Sequence, residues 1–177
     1  MPDPIADALL AWHDFFIAVT TIAGTLIGLL FVVIGLNLGI IADTGHQGIR
    51  VLTGQTFRSF LFLILIGLSA LVPSDFGTTL TISLTIIGVL GFIRITRDIR
   101  LARTDPDPAW SGRGAITRII SPALAYGMAL YVAFGIWRQD VGVLDWFVGI
   151  VLLLTISAAT SCWDLMEVIA KGSGKTE

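Results

Sequence analysis

Few side chains in this chain could carry covalent or metal chemistry, and their positions keep them apart. The two histidines, His13 and His46, flank the first long apolar stretch. A helix spanning a bilayer between them puts one on each side of a hydrocarbon core about 30 Å thick, so they cannot share a metal or a haem within one subunit. Cys162 is the single cysteine and lies within the last apolar stretch, which rules out an intrachain disulfide or a redox pair. Gly67-x-Ser69 offers a hydroxyl but no intramembrane histidine to activate it. H-E-x-x-H, P-loop and C-x-x-C patterns are missing. The expectation is a non-enzyme, with no catalytic residue, no metal and no cofactor.

Two other residue sets have informative spacing. At about 100° per residue, Thr20, Thr21, Gly24, Thr25, Gly28, Gly35 and Gly39 share less than half the circumference of one helix, opposite Leu26, Leu29, Leu30 and Val33. Thr78, Thr81, Thr85 and Gly88 line a narrow face of another, and Ser121, Ala125, Ala129 and Ala133 recur every fourth residue in a third. Small residues let backbones approach closely in lipid, where the hydrophobic effect does not drive helices together. Such faces serve close packing inside a bundle, contact with another subunit, or the wall of a hydroxyl-lined path. The second set is cationic. Arg94, Arg97, Arg100 and Arg103 repeat every third residue beyond an apolar core, and Arg113 and Arg118 follow. They read as a cytoplasmic basic collar that anchors on anionic lipid or meets a phosphate-bearing ligand.

The elements that must position these residues are apolar stretches over 15–41, 57–73, 78–96, 116–137 and 143–169, with 97–115 a basic helix extension and loop. With 55% hydrophobic and 14% charged residues and a mean hydropathy of +0.88, the chain lies far from soluble proteins, where about 25% charged is normal. A helix needs about 20 apolar residues to span the hydrocarbon. The second stretch has only a short uncharged core and must recruit residues around 54–57, so four spans is the runner-up to five.

Five spans with the N-terminus outside put Arg50, Arg58, Arg94, Arg97, Arg100, Arg103, Arg113, Arg118, Lys171 and Lys175 on the cytoplasmic side and leave Arg138 alone outside. That partition follows the positive-inside rule, and the reverse orientation violates it. Trp12, Trp137 and Trp146 at the expected outer edge and Trp163 near the inner edge agree, since amphipathic rings prefer the interface. Asp3, Asp7 and Asp14 without any Lys or Arg make the N-terminal segment unlike a cleavable signal. The fold expected is all-α: a single polytopic transmembrane helical bundle, N-out and C-in. No ionisable residue falls near a span midplane, and Asn37 is the deepest strongly polar side chain, which argues against a proton-coupled transporter or pump.

Trp12-His-Asp14-Phe-Phe16, followed by Gly24-Thr-Leu-Ile-Gly-Leu-Leu-Phe-Val32, resembles the opening of small uncharacterised bacterial multi-pass membrane proteins. The resemblance covers about the first forty residues. It implies a multi-pass protein of the bacterial inner (plasma) membrane. Two functional expectations follow from the residues. One is a homo-oligomeric passive ion-conducting pore, its Thr/Gly faces near the path and its Arg collar at the cytoplasmic mouth. The other is a non-catalytic scaffold subunit packed against other membrane subunits.

Overall fold

The computed structural model describes residues 4–36, 47–72, 76–104 and 113–173, and these are all-helical. A short helix α1 (Pro4–Ala11) turns at Trp12 into α2 (His13–Leu36). Then come α3 (Gln47–Ala70), α4 (Phe76–Thr104) and α5 (Arg113–Trp137). A 3-10 turn (Val141–Asp145) leads to α6 (Trp146–Ser173). Within these helices, five stretches are long and apolar enough to cross a membrane: His13–Leu36, Thr53–Ala70, Gly77–Arg97, Ile119–Trp137 and Val141–Glu167. The chain is therefore a multi-pass integral membrane protein. In hydrocarbon every backbone polar group must be satisfied within the protein, and helices do this segment by segment. The short apolar core of the second stretch is extended at its N-terminal end, where the helix runs unbroken through Gly54.

The helices pack antiparallel to their sequence neighbours. α3, α4, α5 and α6 form a four-helix ring, and α2 lies outside it, packed mainly on α3 with Phe16 reaching Phe147 of α6. Edge-to-face rings mark these contacts. Phe16 meets Phe147 at 5.2 Å, Phe31 meets Phe57 at 5.6 Å, and Phe62 meets Tyr126 at 5.7 Å. Small residues set the tightest approaches. A Cβ on Gly67 would collide with Thr20 Oγ1, and one on Gly88 would stand 2.6 Å from Leu130. Ser121, Ala125, Ala129 and Ala133 are all buried, so this stripe of α5 faces the interior. Side chains such as Leu29, Phe31, Ile86, Leu124 and Leu152 point outward, as a lipid-facing surface requires.

Two features were not legible as expected. α1 buries Ile5 and Leu9, one turn apart, and Ile5 lies beside Gly77 at the start of α4. The N-terminal segment thus closes one end of the ring. The loop after α5 is tight. Asp140 N donates to Gly135 O at 3.0 Å and Gln139 N to Ile136 O at 2.9 Å, the paired bonds of a Schellman cap. Gln139 takes the left-handed position, φ 64°, that glycine usually fills. Asp140 then caps the 3-10 turn by accepting from Gly142 N at 3.0 Å.

Candidate functional site

The arrangement brings some of the sequence-selected residues together and separates others. On α2, Thr20 is half-buried against Gly67, whereas Thr21, Gly24, Thr25 and Gly28 are exposed. Among the described residues nothing lies within 4 Å of the Cβ positions of Gly24, Gly28 and Gly35. No described part of the chain packs on that face. α2 instead packs through Phe16, Ala23 and Leu30, with Leu26 and Ile27 half-buried. The fit is loose, because Ala23 and Leu26 leave a cavity of about 160 Å³ against Phe60 and Leu63 of α3 and Val151 of α6.

On α4, Thr78 and Thr81 line a half-open pocket of about 290 Å³ at the tryptophan-rich end, with Gly77, Ile136, Trp137 and Gln139. Gln139 was not singled out by the sequence, since its position there depends on the cap that turns the chain. Thr85 is exposed one turn further on, and Gly88 is buried against α5. α2 and α4 each pack on α3 and are not among the helix pairs packed on one another, so one subunit does not join their Thr faces into a single wall.

Four hydroxyls of these faces are locally satisfied. Thr20 donates to Phe16 O at 2.8 Å, Thr25 to Thr21 O at 2.9 Å, Thr81 to Gly77 O at 2.7 Å and Thr85 to Thr81 O at 2.8 Å. Back-bonding of this kind lets a Thr face lipid or another helix without an unsatisfied donor. Each oxygen still keeps acceptor capacity.

The basic collar is built by antiparallel neighbours. Arg94, Arg97 and Arg100 project outward from the last turns of α4, Arg103 continues that helix, and Arg113 and Arg118 occupy the first turns of α5. Cations at the C-terminal end of α4 also suit its helix dipole. His13 is exposed at the opposite end, while His46, Asn37 and the 105–112 loop with Trp110 lie outside the described residues. Among the described residues no three His, Cys, Asp or Glu side chains gather as a metal site would.

Buried polarity of another kind sits between α3 and α6. Gln55, Thr56 and Ser59 on α3 and Ser157 and Ser161 on α6 are buried, and Ser121 of α5 donates to Leu153 O at 2.8 Å. Its signal in the sequence was the i, i+4 spacing of Ser157 and Ser161 and the i, i+1, i+4 spacing of Gln55, Thr56 and Ser59. No protein-family model, curated protein or solved structure matches the chain.

Proposed function

We propose that this integral membrane protein works as a homo-oligomer in the bacterial inner membrane, N-out and C-in, with subunits docking through α2 around a passive ion path. The observation that carries the reading is the open Thr21–Gly24–Thr25–Gly28 face. Phe16 and Leu30 of α2 are buried in the bundle, and the glycines on the other side meet nothing among the described residues. Glycine in a helix interior costs about 0.5–1 kcal/mol relative to alanine, so a row of them needs a partner to justify it. A second backbone approaching within van der Waals range is the partner such a row fits. With α2 copies facing a symmetry axis, the spare acceptor lone pairs of Thr21 and Thr25 would border the path, and the Arg collar would stand at its cytoplasmic mouth. There it would hold anionic headgroups or a phosphate-bearing ligand.

Mass determination in mild detergent tests the assembly. A homo-oligomer is expected for the wild type, and a monomer of unchanged helicity for Gly28→Leu. Ion flux through reconstituted vesicles tests the path, and Thr25→Val is expected to lower it. A scaffold subunit is the second reading, favoured by the local satisfaction of the Thr20, Thr25, Thr81 and Thr85 hydroxyls. An oligomer that passes no ions supports the scaffold, and a wild type that is monomeric in mild detergent and in lipid removes the α2 docking.

A further inference from the structure

We propose that the pocket at the tryptophan-rich end of the bundle holds one membrane lipid by its glycerol-ester carbonyls, with Gln139 and Thr78 donating the hydrogen bonds. The pocket is half-open and about 290 Å³ in volume, and its walls include Thr78, Thr81, Ile82, Ile136, Trp137 and Gln139. Two helix ends bring these residues together. The start of α4 lies beside the end of α5, where a Cβ on Gly77 would stand 3.9 Å from Ile136.

Gln139 reaches the pocket because the cap of α5 turns the chain there. The turn demands a left-handed residue, and Gln139 takes that conformation at φ 64°, at a steric cost that glycine avoids. Backbone outliers of this kind collect at ligand clamps. Here the outlier carries an amide into a pocket and leaves it without work inside the protein. That amide has two N–H donors, and the Thr78 hydroxyl has one. Neither side chain bonds to any described residue. The Thr81 hydroxyl, one turn deeper, is already committed to Gly77 O at 2.7 Å.

Charge and depth select the ligand. No ionisable side chain lines the pocket, so it offers a phosphate no cation and an ammonium group no carboxylate. The charged groups on either side of Gln139 are engaged elsewhere. Arg138 lies over the Phe134 ring, 5.1 Å from its centroid, and Asp140 accepts from Gly142 N at 3.0 Å. What remains is a pair of neutral donors, and their complement is a neutral acceptor. Ester carbonyls are such acceptors. In a bilayer they lie between the headgroups and the hydrocarbon, the zone that tryptophan marks. The lining follows the same order. Gln139 and Thr78 stand at the helix ends, whereas Ile82 is one turn further into α4 and 54% exposed, within the apolar stretch. A lipid whose esters meet Gln139 and Thr78 sends an acyl chain along Ile82, in the direction the bilayer already gives it. Water also accepts from an amide, but it makes no use of the apolar walls that Ile82, Ile136 and Trp137 supply. The site lies at the end opposite the arginine collar, and it depends neither on docking through α2 nor on the direction of insertion.

Lipid competition tests it in the full chain. The protein in mild detergent is given equal amounts of two phosphatidylcholines of the same chain length, one ester-linked and one ether-linked, and bound lipid is identified by native mass spectrometry. The ether lipid keeps headgroup and chains and loses only the carbonyls. The first lipid bound by the wild type is expected to be the ester form about tenfold more often, the preference that two hydrogen bonds give. Gln139→Gly keeps the cap and Thr78→Val keeps the shape, so the double variant is expected to take both lipids equally. Arg138→Gln is expected to leave the ester preference intact. Equal binding of the two lipids by the wild type overturns the proposal, and that comparison needs no substitution to fold. An ester preference that survives the double variant overturns it as well. So does a preference lost in Arg138→Gln, because it ties the lipid to the cation instead of the pocket.

Discussion

Gln139 and Gly67 show how single residues hold opposite extremes of backbone and packing demand. Gln139 closes the Schellman cap of α5 with φ 64°, where a side chain costs about 1–2 kcal/mol that glycine avoids. Gln139→Gly should therefore raise stability by about 0.5–1 kcal/mol in detergent unfolding, since glycine's extra chain entropy cancels part of the gain. A loss of stability instead would mean that the amide, lining the pocket with Thr78 and Thr81, holds that end of the bundle together. Gly67 is the reverse case, because the space its Cβ would need belongs to Thr20 Oγ1, with Phe16 O 3.2 Å away. Gly67→Ala should cost about 1–3 kcal/mol by overpacking. Repeating it on a Thr20→Ala background should recover part of that loss, and additive costs would show that the two residues do not compete for the site.

At the scale of elements, α2 is the informative helix. Among the described residues a side chain at 28 meets nothing, so Gly28→Leu should unfold within about 0.5 kcal/mol of the wild type when the protein is held monomeric in harsh detergent. Loss of the oligomer without loss of the fold is the expected signature in mild detergent, read by mass and circular dichroism together. α5 behaves otherwise. Ala129 is buried in the ring, and Ala129→Leu should destabilise the monomer itself by about 1–3 kcal/mol. If the two substitutions affect monomer stability equally, the assignment of α2 as the outer helix fails.

For the whole molecule, the two ends of the bundle differ in charge and in aromatic content. The arginines of α4 and α5 stand at one end, and Trp12, Trp137 and Trp146 at the other. Cysteine labelling of intact cells, on a Cys162→Ala background, checks the orientation with an impermeant reagent. Gln139→Cys should be modified from outside and Arg97→Cys only after lysis. Labelling of Arg97→Cys in intact cells would reverse the topology. Replacing Arg97 and Arg100 by Gln should weaken binding to vesicles containing anionic lipid, or alter ion preference if a path exists, because a charged mouth changes the local ion concentration.

Hydropathy, charge partition and helix periodicity were enough to establish the helical class and the five apolar helices, because a span is a local property of about 20 residues and the bilayer is a known solvent. The buried alanine stripe of α5 was also readable, since spacing alone puts Ser121, Ala125, Ala129 and Ala133 on one face. Which face of α2 turns inward was not. Phe16, Ala23 and Leu30 and the glycine row both form coherent stripes, and only the packing of α2 on α3, with Phe16 against Phe147 of α6, chooses between them. The docking of α1 depends likewise on the chain returning to place Gly77 beside Ile5. The hydroxyls of Ser157 and Ser161, buried with no hydrogen-bond partner among the described residues, depend on tertiary structure most of all. Ser121 Oγ of α5 donates to Leu153 O of α6, thirty-two residues further along the chain, on the carbonyl that Ser157 would otherwise meet one turn back. Periodicity assigns residues to faces; competition for one acceptor exists only once two helices meet.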